Sequence, residues 1–93
     1  MKLLSDEEYE EFQNFLIANP HIGNLIPGGE GLRKIRWKKE SSGKRGGVRI
    51  IYYLVVKKDL IFLLDIYGKT EKADLSREEL KRLVQIKREE IGK

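Results

Sequence analysis

Val48-Arg49-Ile50-Ile51-Tyr52-Tyr53-Leu54-Val55-Val56 is followed, after only Lys57-Lys58-Asp59, by Leu60-Ile61-Phe62-Leu63-Leu64-Asp65-Ile66-Tyr67. Both runs are rich in β-branched and aromatic residues, which suit a pleated, packed surface. The short polar link between them predicts a reversal, and so an antiparallel hairpin. Near-continuous apolarity predicts burial on both faces, which places the two strands centrally in a sheet. Just upstream, Arg33 to Lys39 alternates strictly: Ile35 and Trp37 fall on one side, Lys34, Arg36 and Lys38 on the other. Every second side chain of a strand is roughly 6–7 Å from the last, so this strand presents its cations in a row. Ser41 to Gly47 reads as a flexible, basic, Gly-rich turn between the two.

Helices flank this β-rich centre. Ser5-Asp6-Glu7-Glu8 is a capping box, with Leu4 and Tyr9 spaced for a hydrophobic staple. Tyr9, Phe12, Phe15 and Leu16 supply a helical apolar face, and Asn19-Pro20 ends it. Residues 20–31 hold both prolines and four glycines and read as a connector with at most one short helical turn. Leu75-Ser76-Arg77-Glu78-Glu79-Leu80 repeats the start signal, and Leu80, Leu83, Val84, Lys87 and Ile91 line one face of a closing helix. The expectation is one α+β domain over residues 1–93, a small antiparallel sheet of three to four strands packed with N- and C-terminal helices on one side.

Composition removes several function classes. The 93 residues contain no cysteine and a single histidine, His21, so no disulfide framework, thiolate nucleophile or Cys-based metal site is available. No apolar stretch approaches the roughly 20 residues that span a bilayer, and the acidic start is unlike a signal peptide. These features predict a cytoplasmic domain with no membrane association. The net charge of +4 hides a strong asymmetry: residues 1–32 carry −5, residues 33–49 carry +7 and residues 50–93 carry +2. A basic block attracts phosphates; it also serves equally well as a solvated hairpin face.

Two features of that block have more content than its charge. Gly43-Lys44-Arg45-Gly46-Gly47 sets two long donors between glycines that let a phosphate approach the backbone, the alternative being a plain flexible loop. Arg49 opens an apolar strand, where a charge must reach solvent or find a partner. Its guanidinium there offers a rigid fork to a phosphate, or else pairs with Asp65 or Glu71. Such residues suffice for RNA cleavage by the substrate's own 2′-hydroxyl, a reaction that needs no metal or cofactor. Placed cations offset the phosphorane charge, and a lysine crowded by other cations would serve as base. Tyr67, Lys69, Arg45 and Lys72 are all conceivable proton donors.

In their order along the chain, Gly31-Leu32-Arg33-Lys34-Ile35-Arg36-Trp37, Gly43 to Tyr53, Leu63-Leu64-Asp65-Ile66-Tyr67-Gly68-Lys69 and Lys72-Ala73-Asp74-Leu75-Ser76 resemble the RelE/HigB-type toxins of bacterial toxin–antitoxin pairs, in the HigB-like branch with the Gly-Lys-Arg-Gly-Gly loop. The resemblance covers about residues 4–90. It implies a microbial-RNase-like fold, cleavage of mRNA in the A site of the 70S ribosome with 16S rRNA contacts, and a cognate antitoxin of the DNA-binding repressor type. It also implies catalytic roles for Lys34, Arg36, Arg49, Tyr67, Lys69 and Lys72, with Arg33, Lys38, Lys44 and Arg45 binding RNA. The runner-up is a catalytically weak or inactive RNA- or ribosome-binding module of the same fold. Two departures stand out: Thr70 occupies the place of a family arginine, and Ser76 that of a late tyrosine. A third concerns the start, since relatives carry a β-strand before the first helix. Lack of that strand predicts an exposed sheet edge, open to an antitoxin or a second copy.

Overall fold

A computed structural model describes residues 4–37, 47–68, 72 and 74–91. In chain order the elements are α1 (Asp6–Ala18), β1 (Asn24–Leu25), β2 (Arg33–Trp37), β3 (Val48–Val55), β4 (Leu60–Gly68) and α2 (Arg77–Glu90), with a 3₁₀ turn at Val56–Lys58. The four strands form one antiparallel sheet in the order β1-β2-β3-β4. The α+β class and the β3–β4 hairpin are therefore as the sequence predicts. Asp59 takes the left-handed conformation (φ 51°) that closes the hairpin link. Among the described residues no helix is long and apolar enough to cross a membrane.

Both capping boxes form. The Ser5 and Ser76 hydroxyls accept the N–H groups of Glu8 and Glu79, and those two carboxylates accept the cap N–H groups in return. Each box satisfies two of the amides that a helix start leaves unpaired. Leu75 and Leu80 both pack on the core as the second staple requires. The first staple is different: Leu4 is buried, but Tyr9 is 39% exposed and lies outside the core cluster.

The core corrects the expected layering. Val48, Ile50 and Tyr52 of β3 join Leu4, Phe12 and Leu16 on the α1 side, where Trp37 meets the rings of Phe12 and Phe15 at 5.3 and 5.2 Å. Ile51 and Tyr53 instead join Leu83 and Val84 on the α2 side. The helices thus cover opposite faces of the sheet rather than one. The reason is the period of two in a strand that is apolar at both parities: each face needs its own cover. Of the two runs expected at the centre, β3 is central while β4 lies at the edge.

The Pro/Gly connector also holds more structure than expected. Asn24 and Leu25 pair with Lys34 and Arg33 as a two-residue strand, too short to leave a period in the sequence. Its return loop is closed by Gly29 N–H to the Ile26 carbonyl and Leu32 N–H to the Gly29 carbonyl, at 2.8 and 3.1 Å. Glu30 in that loop binds Arg88 (Nε–Oε1 3.0 Å) and Lys87 (3.7 Å) of α2, and the Arg88 guanidinium holds its carboxyl below the ordinary range. Further in, the buried Tyr52 hydroxyl donates to the Pro20 carbonyl (2.8 Å) and accepts the Gly23 N–H (2.9 Å). A Cβ on Gly23 would stand 2.7 Å from that ring, so only glycine allows the approach.

Tyr52→Phe keeps the ring but leaves the buried Gly23 N–H without its partner. The expected loss is about 1–3 kcal/mol in urea-denaturation stability, the cost of an unsatisfied buried donor. An unchanged midpoint would show that the connector is held by other contacts.

Candidate nucleic-acid interface

The register of the sheet builds the site. Arg36 of β2 lies directly opposite Arg49 of β3, and Arg49 lies directly opposite Tyr67 of β4. Directly opposed residues point to the same face, so Arg36, Arg49 and Tyr67 form a row across three strands, each about 4.8 Å from the next. Lys34, two residues along β2 from Arg36, shares that face, which is the one covered further along by α2.

The row ends in a network of carboxylates. Asp74 Oδ1 accepts from Lys34 Nζ at 3.0 Å, from the Leu75 N–H at 2.8 Å and, more loosely, from the Tyr67 hydroxyl at 3.4 Å. The Lys34 ammonium and the Leu75 amide hold the Asp74 carboxyl below its ordinary value. Lys72 stands 4.7 Å from the centre of the Tyr67 ring and is hydrogen-bonded to Glu79 Oε2. Glu79 thus closes the capping box with one oxygen and holds Lys72 with the other, and its carboxyl is held down to about 2 by Lys72 and the Ser76 amide. The Tyr67 phenol is pushed up to about 12 by burial and by the Asp74 carboxylate, against the opposing pull of Arg49. At neutral pH it is therefore a fixed hydroxyl donor and not a base.

The two arginines stand apart from this network. Among the described residues neither Arg36 nor Arg49 has a carboxylate within ion-pair distance. The Asp65 partner expected for Arg49 is not made; Asp65 Oδ1 instead accepts the Ile66 N–H at 2.9 Å. Like charges directly opposed on neighbouring strands repel. An anion set between the two guanidiniums relieves that repulsion and receives charge-assisted hydrogen bonds from both.

Arg33 is not part of this face. Its partner across the ladder is Tyr52, which points to α1, and its guanidinium donates to the carbonyls of His21 (3.1 Å) and Gly23 (2.8 Å). It braces the connector. Lys38, Lys44, Arg45, Lys69 and Glu71 lie outside the described residues. The structure adds Asp74, and a second role for Glu79, to the residues expected from sequence. Neither lysine is crowded by cations alone, as the expected base would be, because Lys34 and Lys72 each have a carboxylate partner. No protein-family model matches the chain.

Because the folded value of Glu79 lies below the ordinary 4.5, the unfolded chain takes up the proton first as pH falls. The stability that Glu79 confers is thus complete above about 4.5 and is lost toward about 2. Glu79→Gln should be less stable than the native chain at neutral pH, with the gap narrowing through this window in urea melts. A gap constant with pH would exclude the ion pair as its origin.

Proposed function

We propose that the chain is a ribosome-dependent mRNA endonuclease of the RelE/HigB toxin type, with the scissile phosphate held on the Arg36–Arg49–Tyr67 row. The observation that carries this reading is the opposed pair Arg36 and Arg49, with no carboxylate at ion-pair distance among the described residues, beside a buried phenol that stays protonated at neutral pH. In the proposed reaction the 2′-hydroxyl of the RNA gives its proton to solvent water and attacks the adjacent phosphorus. The P–O5′ bond breaks, the departing O5′ takes a proton from the Tyr67 hydroxyl, which solvent then restores, and a 2′,3′-cyclic phosphate and a 5′-hydroxyl are left. Arg36 and Arg49 hold the non-bridging oxygens and offset the charge that grows on the phosphorane. The Tyr67 hydroxyl is the fixed donor within this row. Asp74 positions Lys34, and more loosely Tyr67, through one shared oxygen. Lys72 adds positive potential over the Tyr67 ring.

The wider setting of this proposal comes from the motif resemblance and the +7 charge of residues 33–49. The site of action would be the cytoplasm, the substrate mRNA on the 70S ribosome, and the control a cognate antitoxin that covers the basic face.

One observation favours a second reading, a binding module without cleavage. Both lysines of the site are engaged by carboxylates, so neither is a free base. Two variants separate the readings. Arg49→Ala should lower cleavage by about 10²–10³-fold, in line with loss of a preorganised oxyanion donor, and should abolish growth arrest on expression. Tyr67→Phe should lower kcat by about tenfold or more with little change in KM. A Tyr67→Phe protein that binds and arrests growth as the native chain does would favour the binding module.

A further inference from the structure

The long edge of the sheet is built like an interior strand. Among the described residues β4 pairs with β3 alone, so one side of its backbone from Leu60 to Leu64 has no ladder partner. The other edge, β1, is only two residues long. Soluble proteins blunt sheet edges with brevity, proline or inward-pointing charge, because a row of unpaired N–H and C=O groups recruits another strand. Leu60-Ile61-Phe62-Leu63 has none of these features; a β-bulge, another such device, falls after it at Leu64, between the pairs Tyr52–Leu63 and Ile51–Asp65.

Side-chain exposure points the same way on both faces of β4. Leu60, Phe62 and Leu63 are 46%, 38% and 38% exposed. The register sets Phe62 against Tyr53 on the α2 side and Leu63 against Tyr52 on the α1 side. On the α1 side an open groove of about 350 Å³ runs between helix and strand, lined by Phe12, Leu16, Ile17, Leu60, Ile61 and Leu63. Nearer the end of β4 the helix residue beside the strand is Tyr9, next to Leu64, Asp65 and Ile66. The helix therefore runs antiparallel to β4. Its acidic first half, with Glu7, Glu10 and Glu11, lies toward the end of the strand, and the net-positive Lys57-Lys58-Asp59 link lies at its beginning.

We infer that this edge takes a second copy of the chain, β4 against β4 in antiparallel pairing about a two-fold axis. A charge gradient along an edge becomes self-complementary under that operation. Lys57 and Lys58 of each copy arrive at the acidic end of its partner, and the uncharged Leu60–Leu64 stretches meet in the middle. Pairing satisfies the open row of backbone groups and covers the exposed leucines. It also gives β4 the central position that its two-sided apolar sequence specifies. The inference does not depend on the proposed reaction: Arg36 and Arg49 lie on β2 and β3, and Tyr67, the one row residue on β4, lies beyond the Leu60–Leu64 stretch that pairs.

Sedimentation velocity of the full chain over a concentration series tests it. The expected result is a reversible monomer–dimer equilibrium that weakens with salt. Leu63→Lys should raise the dissociation constant roughly tenfold or more while leaving the far-UV circular dichroism unchanged. Lys57→Glu with Lys58→Glu, both on the exposed turn and clear of either core, should weaken the dimer and remove its salt dependence. Leu25→Lys, at the opposite edge and more open to solvent than Leu63, should leave the equilibrium as it was. A chain that stays monomeric throughout, a dimer indifferent to Leu63→Lys, or open-ended oligomers would each overturn the pairing. So would capture of the edge by a different protein's strand while the chain alone remains a monomer.

Discussion

Burial of β3 on both faces is the constraint on which the structure depends. Val48, Ile50 and Tyr52 require one cover, Ile51 and Tyr53 another, and a chain of this length meets both demands with a single helix on each side. That arrangement fixes where a charge in β3 can go. Arg49 has the parity of Ile51 and Tyr53 but lies near the start of the strand and outside the apolar cluster that Leu83 and Val84 form with Ile51. It remains half-buried and is flanked across the ladder by Arg36 on one side and Tyr67 on the other. The site is thus a direct consequence of strand register, with rigid elements holding its central row.

The electrostatics of the site divide it into a satisfied half and an unsatisfied half. Lys34–Asp74 ties the segment before α2 to the sheet, and Lys72–Glu79 ties that segment to the first turn of α2. Arg36 and Arg49 have no such anion among the described residues. Surface ion pairs contribute little stability by themselves, so the satisfied half is better understood as positioning. One carboxylate oxygen of Asp74 joins a strand cation, a buried phenol and the residue before the second helix cap. Under the proposed function the unsatisfied half is where a phosphate would gain most, replacing repulsion with two charge-assisted contacts.

Much of this was legible from sequence because it is local. The two capping boxes are four-residue patterns, and both form in full. Strict alternation in β2 placed Lys34 and Arg36 on one face, and the same parity separates Arg33 from them even though charge alone groups the three together. What was not legible depends on contacts between distant segments. A two-residue strand leaves no period, so β1 read as connector. Apolarity at both parities says that a strand is covered on both faces but not by what, which is why both helices could be assigned to one side and β4 to the centre. Asp74 carries no signal of its own; its role appears only when the loop after β4 returns to Lys34.

The central claim is that Arg49 holds the phosphate of an RNA cut on the ribosome. Its most direct test is 5′-end mapping of a defined mRNA after incubation with the chain, with and without translating ribosomes, beside Arg49→Ala. The account predicts new 5′-hydroxyl ends that require ribosomes and vanish in the variant while its fold persists. Ends that persist undiminished in a folded Arg49→Ala protein, or no ends from the folded native chain on translating ribosomes, would contradict it.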